Sequence, residues 1–185
     1  MINVYVMIYY IYYTLKMNST YENAISAYPQ LLFFVVLVLC YVKNISYAYA
    51  FIGYIGNSIV NVVLKQMFRN LIGDAGKRPI PHYSTNVFDK FISLGWSKYN
   101  EAVSYGFPSG HAQSMGYYLA FVYHFFPWKS WNPLANAAHL IIAGYLIHTR
   151  ILFMQHTFIQ ILFGFLFGVM VFYAFDWVWK TSKSW

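Results

Sequence analysis

Charge is scarce in this sequence: Asp, Glu, Lys and Arg make up 9% of its 185 residues, against about a quarter in a soluble domain. A water-exposed globular surface is therefore excluded as the main environment. Cysteine is nearly missing as well. With Cys40 alone, neither an intrachain disulfide nor a thiolate metal cluster can form, and Cys40 reads as a small apolar residue inside a helix. The basic residues never gather into a run, which argues against nucleic acid as a partner. With only five Asp and Glu in the whole chain, no carboxylate cluster accompanies the polar stretches.

Apolar residues fill the space that charge leaves. They make up 59% of the chain, with mean hydropathy +0.45, the composition of an integral membrane protein. Nineteen tyrosines and seventeen phenylalanines suit interfacial anchoring and helix packing. The formal net charge of +7, from 12 basic against 5 acidic residues, fits contact with anionic lipid headgroups or a phosphorylated substrate.

The apolar runs divide the chain into an all-α, polytopic bundle of five core spans: Ser26 to Val42, Ile45 to Phe68, Ser109 to Phe126, Pro133 to about Met154, and His156 to Trp179. Ahead of them, Ile2 to Leu15 is short for a full span and reads as a tilted or interfacial helix. It lacks a basic flank and a small-residue cleavage site, so a cleaved signal peptide is not expected. This gives a short N-terminal segment over 1 to 25, a membrane domain over 26 to 179, and a polar tail over 180 to 185. A long polar connection at about 69 to 107 interrupts the domain, and within it Val87 to Trp96 has the pattern of a surface helix. Gly164, Gly168 and the small residues between 135 and 144 permit close helix approach.

Polar residues inside such spans need a reason. Asn57, Asn61, Lys65 and Arg69 recur at i, i+4 and so share one helical face. Pro108-Ser109-Gly110-His111 reads as a helix start, where unpaired N–H groups can hold an anion. With five spans, Lys65, Arg78, His111, Arg150 and His156 fall on one membrane side. Together they make an anion site with a candidate nucleophile and a candidate acid. His156 and Gln160, at i, i+4, can hydrogen-bond through Nδ1–H, leaving Nε2 to attack. On one unbroken helix Arg150 and His156 would point about 240° apart, so a break near Gln155 is required. His82, His124, His139 and His148 read as interfacial or satisfied polar residues.

These residues resemble the type 2 phosphatidic acid phosphatase superfamily, whose three motifs read K-x6-R-P, P-S-G-H and S-R-x5-H-x3-D. Here Lys65 with Arg78-Pro79, Pro108-Ser109-Gly110-His111, and Thr149-Arg150 with five residues before His156 stand in their places. Within the superfamily, Tyr105-Gly106-Phe107-Pro108-Ser109-Gly110-His111-Ala112-Gln113 and His156-Thr157-Phe158-Ile159-Gln160 are most similar to the dolichyl diphosphatase group, whose third motif ends in glutamine. The resemblance implies that His156 attacks phosphorus to give a phosphohistidine and that His111 protonates the leaving oxygen. Lys65, Arg78, Ser109, Gly110 and Arg150 would hold phosphate oxygens, with no metal or other cofactor required. It also implies a lipid-linked diphosphate substrate and an endoplasmic reticulum membrane with the site facing the lumen.

Three departures qualify the match. Lys65 stands thirteen residues before Arg78 instead of seven, so Lys77 is an alternative first-motif lysine. Thr149 replaces serine, and Gln160 replaces aspartate. Two other functions stay open: hydrolysis of phosphatidate or another lipid phosphate, and binding of a lipid phosphate without turnover. Tyr117, Tyr118, Phe121 and Phe125 are candidates for a lipid-tail groove or for plain helix packing. Once the three proposed phosphate-binding cations are set aside, basic residues divide 5 against 4 across the two sides, so the positive-inside rule gives no orientation.

Overall fold

The computed structural model describes residues 28–79, 105–126, 133–152 and 155–182. The N-terminal segment and the expected surface helix at Val87 to Trp96 lie outside these residues, as does His82. Five helices make up the described part: α1 Tyr28–Lys43, α2 Tyr47–Ile72, α3 Gly110–Phe125, α4 Pro133–Leu152 and α5 Phe158–Ser182. A 3-10 turn, Gly73–Gly76, follows α2. Two helices, α2 with this turn and α5, are long and apolar enough to cross a membrane, while the apolar stretches of α1 and α4 are shorter.

Helix α2 does not end at Phe68, where the apolar run stops, but continues to Ile72. Gly73 ends it, with its N–H bonded to the Arg69 carbonyl at φ 52, ψ −127, a backbone conformation essentially reserved for glycine.

The core sits around α3, which packs on all four other helices, most extensively on α5 and least on α4. Every residue from Ala112 to Val122 is buried. Small residues let α3 and α5 meet backbone to backbone: a Cβ on Gly116 would collide with the Phe165 carbonyl, one on Gly164 with the Ser109 carbonyl, and one on Gly168 with the Gln113 carbonyl. Gly144, by contrast, meets no neighbour among the described residues, so none of the described helices approaches closely there. Tyr117, Tyr118 and Phe121 are buried in this core, with Tyr117 and Phe121 edge-on to Phe172. They are packing residues and not the walls of a groove.

Outside this core the helices expose large apolar side chains, among them Phe34, Val38, Ile141, Met170 and Trp177. Only 28% of the apolar window in each of the two long helices is buried within the molecule. Apolar surface on this scale is what helices present to hydrocarbon and what a soluble monomer avoids.

Polar groups tie the bundle at two levels. Midway, Asn61 donates to Gln113 Oε1 at 2.7 Å, and Gln113 Nε2 donates to the carbonyl and side-chain oxygens of Asn57 at 2.9 and 3.0 Å. The asparagine face of α2 is thereby registered against α3. Near the far ends of α3 and α5, buried Asp176 accepts from Tyr49 at 3.0 Å and from Lys180 at 2.7 Å, with His124 Nε2 3.6 Å away. That knot joins α2, α3 and α5. His139 meets the Tyr118 hydroxyl at 2.7 Å, and His148 is exposed.

Candidate active site

The opposite end of the bundle holds the polar residues singled out by the sequence. Two imidazoles, His111 on the first turn of α3 and His156 just before α5, lie within electrostatic reach of each other and of Lys65, Arg78 and Arg150. His156 is 2% exposed and Arg150 2%, while Lys65 is 4%. Charges this deeply buried require partners or a function.

Local structure explains how each arrives. Lys65 faces inward because it continues the Asn57, Asn61 stripe that Gln113 pins to α3. Lys77, the alternative, is 66% exposed and pairs with Asp74 at 2.7 Å, so of the two lysines Lys65 is the one at the imidazoles. The thirteen-residue separation from Arg78 is absorbed by the last turns of α2 and the 3-10 turn, which carry the chain out and back.

Ser109 caps α3. Its Oγ accepts from the Ala112 N–H at 3.4 Å and its own N–H donates to the Gln160 carbonyl at 3.0 Å. The hydroxyl proton of such a cap is still available to an anion at the helix start. Gly110 lies against Asn61, whose Oδ1 would stand 2.8 Å from a Cβ there.

The required break between Arg150 and His156 is present. Helix α4 stops at Leu152 and α5 starts at Phe158. Across the gap the Arg150 carbonyl accepts the N–H groups of both Gln155 and His156, at 3.0 and 3.3 Å, and the Arg150 guanidinium bonds the Gln155 side chain. The chain thus folds back on itself, and His156 comes beside Arg150 instead of pointing away from it. Thr149, in the serine position, spends its hydroxyl on the Leu146 carbonyl at 2.8 Å.

Gln160 organises the rest. Its Oε1 accepts from the Thr157 N–H at 3.2 Å, and its Nε2 donates to the carbonyls of Lys77 at 2.8 Å and Gly76 at 3.3 Å. A backbone N–H can only donate and a carbonyl can only accept, so the amide orientation is set. Oε1 also lies 3.2 Å from His156 Nδ1. Since Oε1 only accepts, Nδ1 carries the proton and Nε2 keeps its lone pair. That Nε2 is buried with no hydrogen-bond partner among the described residues. Burial, followed by the positive charges of Arg78 and Lys65, holds the His156 pKa well below the ordinary histidine value, against an opposing pull from Gln160.

An imidazole held with Nε2 unprotonated, within electrostatic reach of Arg78, Lys65 and Arg150, is an arrangement that can serve nucleophilic attack on a bound anion. The PAP2 superfamily model matches residues 46–183, which takes in the whole of this constellation. The chain belongs to the PAP2 superfamily. No curated protein and no solved structure matched it. PAP2 proteins are typically metal-independent phosphatases, and lipid phosphates are their typical substrates.

Two features of this PAP2 site escaped the sequence reading. Tyr105, quoted there without a role, donates its hydroxyl to the Gly73 carbonyl at 2.7 Å. The Gly76 carbonyl accepts from both Gly106 N–H, at 3.1 Å, and Gln160. Backbone carbonyls leave no signature in a sequence; an aromatic residue followed by glycine, with an isolated glycine pair upstream, is the only trace.

Proposed function

We propose that this protein hydrolyses a polyprenyl diphosphate of the dolichyl type to the monophosphate, in an endoplasmic reticulum membrane with its site facing the lumen. His156 Nε2 attacks the terminal phosphorus while Lys65, Arg78, Arg150, Ser109 and the start of α3 at Gly110 hold the phosphoryl oxygens. The bond from phosphorus to the bridging oxygen breaks, and His111 delivers a proton to that oxygen as the lipid monophosphate leaves. Water then attacks the phosphohistidine, its proton passing to His111, and inorganic phosphate is released. All five helices cross the bilayer in this reading.

The observation that carries it is the Gln160 network, which fixes the tautomer that a histidine nucleophile needs without a carboxylate. Glutamine at this place is also what separates the dolichyl group from the wider pattern. The cations supply the charge that a diphosphate requires.

The test is phosphate release by purified protein in detergent with a strong chelator present, comparing a polyprenyl diphosphate with phosphatidic acid. Faster release from the diphosphate is expected, with no phosphoenzyme and no turnover in His156→Ala. Preference for phosphatidic acid would transfer the assignment to that substrate, and turnover of neither would leave a lipid-phosphate-binding protein. Activity lost to chelator and restored by a divalent ion would overturn the metal-independent mechanism.

A further inference from the structure

We propose that Tyr105 is a positioning residue for Arg78, acting through the Gly73–Gly76 turn without touching phosphate itself. The inference rests on the reading of the site as one that binds phosphate. The turn is part of the extra chain between Lys65 and Arg78, and among the described residues little holds it from outside. Leu71 through Ala75 are exposed, and the Asp74–Lys77 ion pair is exposed on both partners, 88% and 66%, where such pairs contribute little.

Its fastening comes from inside. The Tyr105 hydroxyl holds the Gly73 carbonyl at 2.7 Å, Gly106 N–H holds the Gly76 carbonyl at 3.1 Å, and Gln160 Nε2 holds the carbonyls of Gly76 and Lys77. Gly76 is buried with no room for a side chain, because a Cβ there would run into the Tyr105 ring. The peptide between Lys77 and Arg78 is consequently fixed, and with it the point from which the Arg78 side chain starts. Of these four bonds, Tyr105 supplies the one that comes from a side chain outside the three motifs. Because Tyr105 is three residues ahead of Pro108, the same bond ties the approach to Pro108-Ser109-Gly110-His111 onto the turn.

The experiment is a double-mutant cycle on the full-length protein in detergent, reading the Kd of orthovanadate, a tetrahedral anion in place of phosphate. Tyr105→Phe keeps the ring against Gly76 and removes only the hydroxyl. In the natural background it should weaken orthovanadate binding about 2- to 13-fold, the range of one hydrogen bond. In an Arg78→Ala background it should change binding less than about 2-fold, because the group being positioned is gone. Equal weakening in both backgrounds, or none in either, would overturn the role of Tyr105 while leaving the phosphate site intact. No binding by the unmutated protein would instead overturn the phosphate reading and this inference with it.

Discussion

Gln160 serves two ends at once, its oxygen orienting His156 and its nitrogen holding the Gly76 turn. Gln160→Leu should therefore slow kcat by about 2- to 13-fold from the lost orienting bond alone, worth about 0.5 to 1.5 kcal/mol. If instead the detergent melting temperature falls and kcat per folded molecule is unchanged, Gln160 only binds helices together. The charge state of His156 gives a second expectation. Its lowered pKa in the free protein puts the acidic limb of kcat/KM, corrected for substrate ionisation, below the ordinary histidine value of 6.5. Below that limb His156 is protonated and cannot attack. Gln160→Glu places a carboxylate beside Nδ1, which favours the imidazolium and should move the limb upward. An unshifted limb would detach His156 from it. At this scale much was legible. Side chains that carry motif chemistry announce themselves by type and spacing, and the His156 to Gln160 contact follows from i, i+4 alone. Tyr105 and the Gly76 carbonyl were not legible, because their partners are backbone groups brought together only by the fold.

The α3 and α5 seam shows what a helix pair contributes that single residues do not. Gly164 sets the depth at which α5 sits under Ser109, and the atom that a Cβ would meet there is a backbone oxygen with no freedom to move aside. Gly164→Ala should push the start of α3 away from His156. Displacements of about 1 Å can cost on the order of 100-fold in rate, so a loss of at least about 10-fold in kcat/KM is expected. Gly144→Ala adds a methyl in open space on α4 and should leave kcat/KM within about 2-fold, as surface changes usually do. A Gly164→Ala variant as active as the natural protein would mean that the seam tolerates sliding. Helix existence was plain from apolar runs, since α1 to α5 fall within a few residues of the expected spans. Their ends were less plain. Gly73, and not the last apolar residue, stops α2, while the break before α5 could be argued from the angle between Arg150 and His156 but not located.

The molecule as a whole places its two polar ends on the same helix. His156 stands just ahead of α5, and Asp176, bonded to Tyr49 and Lys180, lies twenty residues further on. At 1.5 Å per residue this separation is about 30 Å, close to the thickness of a bilayer's hydrocarbon layer. In the proposed arrangement, with α5 crossing the bilayer, the knot around Asp176 seats at one surface when His156 seats at the other, and α5 works as a ruler laid across the membrane. A thicker bilayer would draw one end inward, and lowering the phosphate site beneath the headgroups costs it access to a charged substrate. Reconstitution into phosphatidylcholine bilayers of graded acyl length should give kcat/KM a maximum near about 30 Å of hydrocarbon, with decline on both sides. A flat profile would break the link between Asp176 and depth. A maximum there would make membrane thickness itself a control on turnover, adjusted by the lipids around the protein.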